Sequence, residues 1–252
     1  MKLEGKVAVV TGGGTGMGRA CCFALAHKGA AVVVNYAKSQ EKAEDAARQI
    51  EAQGGRAIAV RADVSSDAEA RALIAAATER FGRLDILVNN AGYTRFTPHR
   101  ELELLTEELL DRTLAVNTKG PLYCARAAIP AMLQNGGGHI INITSIAAKL
   151  GSGSSIIYCA SKAALSVMTK SLARAFAPEI RVNAIAPGFV DTKFANWPDG
   201  MVERMKQNVH TERIVTVEDI AAAVVYLVTE GSILTGEEIV IDGGLVSLGS
   251  RS

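Results

Sequence analysis

The sequence predicts an α/β architecture: one domain over residues 1–252, built on a doubly wound parallel sheet of about seven strands with helices on both faces. Three observations carry that expectation. Short β-branched runs alternate with helix-compatible stretches from one end of the chain to the other. Several of these runs are apolar on both faces, as a parallel strand between two helical layers must be, because neither face meets water. Glycine supplies 24 of 252 residues, above the usual share of about 7%, and many of these glycines directly follow the apolar runs.

In chain order, the first strand is expected near Val7–Val10 and passes through a glycine loop into a helix over Gly16–Lys28, which Gly29 can stop. Ala31–Asn35 reads as the second strand and Gln40–Gln53 as its crossover helix; Ala57–Val60 is the third strand. Ser66-Asp67 is a helix start, Asp67–Phe81 the helix and Gly82 its stop. Strand Leu84–Asn89, a long helix over Thr106–Gln134, strand His139–Thr144 and helix Tyr158–Phe176 follow. Strand Arg181–Ile185, helix Val217–Thr229 opened by Thr216, and strand Glu238–Ile241 complete the set. Two stretches lack strong periodicity, Tyr93–Leu105 and Val190–Arg213. Both follow strands, where ligands of open α/β sheets bind, so they are the candidate substrate loops, with residues 190–213 as a substrate-covering segment.

Composition excludes several classes of function. With 48% hydrophobic and 21% charged residues the chain can bury a core and does not resemble a disordered tail. Lys plus Arg (27) and Asp plus Glu (26) nearly cancel, so no long-range field draws in nucleic acid or an anionic membrane. The run Val7–Val10 is too short for a signal-peptide core and no apolar stretch reaches a membrane span, which makes the cytoplasm the expected compartment. Cys21, Cys22, Cys124 and Cys159 form no C-x-x-C pair, and no histidine stands at metal-ligand spacing from them. The cysteines read as reduced and mostly buried, and no metal site is expected.

The order strand, glycine loop, helix around Thr11-Gly12-Gly13-Gly14-Thr15-Gly16-Met17-Gly18 has a chemical use. Glycines let the backbone turn tightly and approach a pyrophosphate, and the free amides at the helix start favour an anion. A carboxylate about twenty residues further on would bond a ribose 2′-hydroxyl and select NAD. That stretch reads Asn35-Tyr36-Ala37-Lys38-Ser39, with no carboxylate, and Lys38 with Ser39 can receive a 2′-phosphate, so NADP(H) is favoured over NAD(H).

Tyr158 and Lys162 stand four apart on a predicted helix and therefore share a face. An ammonium near a phenol stabilises the phenolate and lowers its pKa from about 10, so Tyr158 is expected to exchange a proton near neutral pH as a general acid and base. Ser145, at the carboxyl end of a strand, can hydrogen-bond the same substrate oxygen. Tyr-x-x-x-Lys alone is an ordinary helix pattern; its company gives it meaning.

The spacing T-G-x-x-x-G-x-G, together with Asn89-Asn90-Ala91-Gly92, Ser145 and Tyr158-x-x-x-Lys162, resembles the short-chain dehydrogenase/reductase family, with a Rossmann-type sheet, over essentially the whole chain. Asp63-Val64, Asn117, Pro187-Gly188 and Asp242-Gly243-Gly244 fall in family order. The resemblance implies a catalytic set of Asn117, Ser145, Tyr158 and Lys162, with Asn117 holding a water that relays protons to Lys162. It implies cofactor contacts from Gly12, Gly14, Thr15, Gly16, Met17 and Gly18 in the loop, and from Tyr36, Lys38 and Ser39 beyond the second strand. Asp63 and Val64 would lie against adenine; Asn89, Ala91 and Gly92 would line the cofactor. Tyr158 and Lys162 would reach its nicotinamide half, as would Pro187, Gly188, Val190 and Thr192.

The reaction implied is hydride transfer between NADP(H) and a ketone or secondary alcohol. Members closest in pattern reduce 3-oxoacyl groups on acyl carrier protein, which remains the alternative, although Gln134-Asn135-Gly136-Gly137-Gly138 stands where carrier-protein users offer basic residues. A small ketone or alcohol therefore ranks ahead. A non-catalytic nucleotide sensor would be expected to show a damaged tetrad, and all four residues are present. An epimerase or dehydratase of related fold would need an added substrate domain. Phe194, Trp197, Met201 and Met205 form an adaptable apolar set that either closes over a hydrophobic substrate or packs on another subunit. The family also implies a homotetramer.

Overall fold

The computed structural model describes residues 3–192, 194 and 199–251. Its strands are β1 (Val7–Val10), β2 (Ala31–Tyr36), β3 (Arg56–Arg61), β4 (Ile86–Asn89), β5 (Gly138–Ile143), β6 (Ile180–Pro187) and β7 (Glu238–Ile241). They form one sheet in the order β3-β2-β1-β4-β5-β6-β7, and every neighbouring pair is parallel. The order reverses between β1 and β4, which opens a crevice at their carboxyl ends.

The α-helices are α1 (Gly16–His27), α2 (Gln40–Ala52), α3 (Asp67–Phe81), α4 (Glu107–Leu114), α5 (Gly120–Gln134), α6 (Ala147–Leu150), α7 (Ile156–Phe176), α8 (Met201–Asn208), α9 (Val217–Thr229) and α10 (Leu245–Leu248), the last of which follows β7. The pleat sorts the core into two layers. Ala8, Val10, Val32, Val34, Val88 and Ile141 point to one face and pack with Cys22 and Leu25 of α1, Ile50 of α2 and Val224 of α9. Val7, Val9, Val33, Leu87, Ile140 and Val182 point to the other and meet Leu73 of α3, Met132 of α5 and Ala173 of α7. This alternation explains why the central strands are apolar at every position, and why both faces stay dry.

The expected strands all form, several one or two residues longer or shorter at an end. The cap signals act as expected. Ser66 Oγ accepts from the Glu69 amide, Gly82 ends α3 in the left-handed region, and Thr216 and Asp219 make a reciprocal capping box on α9.

Two corrections are needed. The long helix expected over Thr106–Gln134 is interrupted by a π-helical turn, Ala115–Lys119, between α4 and α5; Asn117 in that turn spends its amide outside the helix, on Tyr93 and Ser161. Residues 190–213 are not wholly irregular, because Met201–Asn208 forms a helix and Val190 bridges to Val215. Trp197 lies outside the described residues. No described helix is long and apolar enough to cross a membrane. The four cysteines are free and buried, and desolvation pushes the Cys21 and Cys124 thiols up to about 12, which leaves them unreactive.

Candidate active site

A cavity of about 1330 Å³ opens at the carboxyl ends of the strands, over the point where the strand order reverses. That exceeds the roughly 300–1,000 Å³ of an ordinary small-molecule pocket, leaving room for a dinucleotide and a second reactant.

The glycine loop forms one wall. Gly12 has φ +63° and Gly16 φ +52°, left-handed values that glycine adopts without strain. Loop and β4 are laced together: Thr11 Oγ1 accepts from the Asn90 and Ala91 amides at 2.9 and 3.0 Å, and Asn90 Nδ2 donates to the Thr11 carbonyl at 2.9 Å. Asn35 accepts from the Gly12 amide at 3.1 Å and donates to the Ala62 carbonyl at 3.0 Å, tying β2 to both. Thr15 at the start of α1 makes no side-chain cap, so the helix presents open amides to the cavity. Open amides, left-handed glycines and a large adjoining cavity fit a pyrophosphate-linked dinucleotide.

Of the residues expected to meet a cofactor, Gly12, Thr15, Gly16, Met17, Lys38, Ser39, Asp63, Val64, Ala91, Gly92, Pro187, Gly188, Val190 and Thr192 line this cavity, as do Tyr158 and Lys162. Gly14, Gly18, Tyr36 and Asn89 do not. A Cβ on Gly14 would press on Ala43 of α2, and one on Gly18 would overlap the Gly12 carbonyl oxygen, so both glycines serve close packing behind the loop. Tyr36 belongs to the core beneath α2. Asn89 is buried and donates to Asn142 Oδ1 at 2.9 Å, while its neighbour Asn90 takes the cavity position.

Lys42, in the first turn of α2, also lines the cavity beside Lys38 and Ser39; its signal in the sequence was a basic residue at the start of a helix following the second strand. Asp63 accepts from Ser65 Oγ at 2.7 Å and Arg112 Nη2 at 3.0 Å. Burial raises its pKa, but these bonds and the guanidinium outweigh burial and hold it below the usual carboxylate range.

The proton-handling residues come from the end of β5 and from α7. Ser145 follows β5, and its Oγ accepts from the Ala147 amide at 3.1 Å. Ser155 caps α7 by accepting from the Tyr158 amide, which fixes the turn carrying the phenol. Lys162, one turn later, is buried and donates to the Ile143 carbonyl at 2.7 Å. Its Nζ lies 5.9 Å from the Tyr158 ring centre.

Here the expected phenol pKa needs correction. Desolvation pushes Tyr158 up to about 12 against the opposing hydrogen bond from Ser145, and desolvation draws Lys162 down to about 8. In the protein alone burial sets the direction for both groups. Asn117 does not line the cavity; it accepts from the Tyr93 amide at 2.7 Å and donates to the Tyr93 carbonyl and Ser161 Oγ, so its side chain joins the loop after β4 to α7.

Apolar side chains also line the cavity, among them Phe96, Leu150, Phe189, Phe194, Met201 and Met205. Phe194 stands 6.1 Å from Tyr158, ring centre to ring centre, and crosses above Gly92, where any side chain would crowd its ring.

A family model described as enoyl-(acyl carrier protein) reductase matches residues 12–246. The chain is 37% identical over 243 residues to a 3-oxoacyl-[acyl-carrier-protein] reductase of Staphylococcus aureus, covering 95% of this chain and 98% of the relative. Among solved structures, a short-chain dehydrogenase from Burkholderia cenocepacia in complex with NADP superposes with a TM-score of 0.89 at 36% identity, covering 96% and 98% of the two chains. A 7α-hydroxysteroid dehydrogenase complexed with NADH and 7-oxo glycochenodeoxycholic acid gives 0.89 at 32%, covering 96% and 95%. The chain belongs to the short-chain dehydrogenase/reductase family and is an NAD(P)-dependent oxidoreductase acting on CH–OH and C=O groups.

Proposed function

We propose that the enzyme transfers hydride between NADP(H) and an apolar ketone or secondary alcohol, with Tyr158 as general acid and base. The observation that carries this reading is that Ser145, Tyr158 and Lys162 share one cavity with the glycine loop, and that apolar side chains line it, with Phe194 beside the phenol. The nicotinamide, when bound, supplies or accepts the hydride. The glycine loop and the start of α1 would hold its pyrophosphate, with Thr192, close to Gly16, on the same side. Ser145 orients the substrate oxygen. Tyr158, kept protonated by desolvation, donates to that oxygen during reduction. Lys162, itself buried, then stabilises the phenolate left behind, because its charge is screened less there than in open water.

Preference for NADP(H) is supported by Lys38, Ser39 and Lys42 at the cavity end beyond β2, without a carboxylate on β2 or in the turn after it. Residues 190–213 act as the substrate-covering segment of a single catalytic domain, which works in the cytoplasm as a homotetramer. Reduction of 3-oxoacyl groups on acyl carrier protein is the second reading, favoured by the relative of that name.

The test is a screen of ketones, secondary alcohols and 3-oxoacyl thioesters with NADPH and NADH, run on wild type and Tyr158→Phe. Tyr158→Phe should lose at least about a thousandfold in kcat while still binding cofactor, because it removes the acid and leaves the cradle. Full turnover in the variant overturns the assignment. A higher kcat/KM with NADH than with NADPH overturns the cofactor preference alone.

A further inference from the structure

Glu238 plays no part in the reaction just described, yet its side chain is buried on β7 at 9% exposure, with Oε2 2.6 Å from Lys149 Nζ. Its Oε1 accepts from Thr144 Oγ1 and from Ser166 Oγ, both at 2.6 Å. A carboxylate in such a place is costly unless fully paired, and an apolar residue of similar volume is often as stable. Here every oxygen has a partner, and the partners and Lys149 outweigh burial to keep the acid ionised.

The partners sit on three different elements, and each adjoins a reacting group. Thr144 immediately precedes Ser145. Lys149 lies on α6, whose Ala147 amide donates to Ser145 Oγ. Ser166 is one helical turn beyond Lys162 on α7 and also approaches the Lys162 carbonyl at 3.1 Å. Each hydroxyl has a single proton to give, and an ionised acceptor at 2.6 Å takes it in preference to a backbone carbonyl.

We infer that Glu238 is a positioning residue: by holding Thr144, Ser166 and Lys149 to β7, it sets Ser145 against Tyr158 and Lys162. It touches no reactant and acts through its two hydroxyl partners and the ammonium. The inference rests on the reading of Ser145, Tyr158 and Lys162 as the reacting set. Displacing a reacting group by about an ångström can cost up to a hundredfold in rate, so loosening this clamp lowers kcat and leaves the distant pyrophosphate cradle alone.

The experiment compares wild type, Glu238→Ala, Glu238→Gln and Tyr158→Phe. The probe is whichever of ethyl acetoacetate, cyclohexanone and acetoacetyl-coenzyme A the wild type reduces fastest with NADPH. The NADPH dissociation constant is measured by fluorescence, and kcat is expressed per NADPH-binding site, so that unfolded protein does not count. Glu238→Ala should lose about tenfold or more in kcat at an unchanged NADPH dissociation constant. Glu238→Gln keeps one oxygen for Thr144 and Ser166 and should remain within about threefold of wild type. A purely structural residue would lower the number of binding sites and leave kcat per site alone.

Glu238→Ala within about twofold of wild type, or Glu238→Gln as slow as Glu238→Ala, overturns the clamp. Should Glu238→Ala not fold, Thr144→Val with Ser166→Ala removes the same two bonds from the other side and decides by the same comparison. If Tyr158→Phe keeps its turnover, the reaction reading fails and the clamp with it. If Tyr158→Phe loses turnover and Glu238→Ala does not, only the clamp fails.

Discussion

At the residue scale, burial decides the charge state where no oppositely charged partner offsets it, and His139 shows it away from the active site. Its imidazole on β5 is 2.7 Å from Arg181, whose guanidinium also donates to the Leu227 carbonyl at the end of α9. Desolvation and then the neighbouring guanidinium draw the His139 pKa from 6.5 down to about 4. Between those two values the unfolded chain binds a proton that the folded chain does not, so stability rises with pH across the window and is lost as pH falls from about 6.5 towards 4. From pH 7 to pH 5 this group should cost at most about 2 kcal/mol. Denaturant unfolding at both pH values measures it, and His139→Gln should remove most of the difference; an equal drop in both proteins would assign the acid sensitivity elsewhere. The same physics corrected the phenol of Tyr158. Spacing along the sequence places Lys162 on its face of the helix, but desolvation depends on what the rest of the chain packs around it.

At the scale of elements, the glycine loop was legible as strand, turn and helix, because apolar runs and caps are local signals. What each glycine does was only partly so. Gly12 and Gly16 take left-handed backbone at the cavity, whereas Gly18 permits α1 to lie against the Gly12 carbonyl and Asn90. That distinction depends on a contact between residues 18 and 90, which spacing cannot reveal. Gly18→Ala should therefore cost about 1–3 kcal/mol by overpacking and also weaken cofactor binding, since Gly12 and Asn90 must move. Unfolding and NADPH titration of the variant check both effects; a stable variant with unchanged affinity would show that the loop yields freely. The π-helical turn at Asn117 escaped the sequence for a similar reason. Its cause is a set of bonds to Tyr93 and Ser161, 24 and 44 residues away along the chain. Asn89, the last residue of β4, and Asn90 just beyond it likewise divide their roles, one towards Asn142 in the core and one towards the cavity.

At the scale of the whole molecule, the parallel, doubly wound character of the sheet and its seven strands were legible, since seven apolar runs separated by helices leave few topologies once right-handed crossovers are required; the strand order came from the structure. Which surfaces remain apolar was not, because exposure is a property of the assembled layers. Two such regions stand out. Leu122 and Leu133 on α5, with Ile156 and Val167 on α7, are exposed, Val167 to 65%. Around the end of the sheet, where β7 pairs only with β6, Tyr226, Ile233 and Leu248 are exposed, Ile233 to 91%. Two separate apolar surfaces are what two kinds of twofold contact require, and two perpendicular twofold axes build a tetramer. An unpaired edge strand beside one of them adds a reason to cover it. A charge placed in either surface must be desolvated on association without a partner, which costs far more than an exposed ion pair returns. In the homotetramer we propose, Val167→Glu and Ile233→Glu should therefore each reduce the mass measured by light scattering from tetramer to dimer, and the double variant should be a monomer. A wild-type protein that scatters as a monomer at micromolar concentration would overturn the assembly, and a Val167→Glu protein that stays tetrameric would remove the α5 and α7 surface from it.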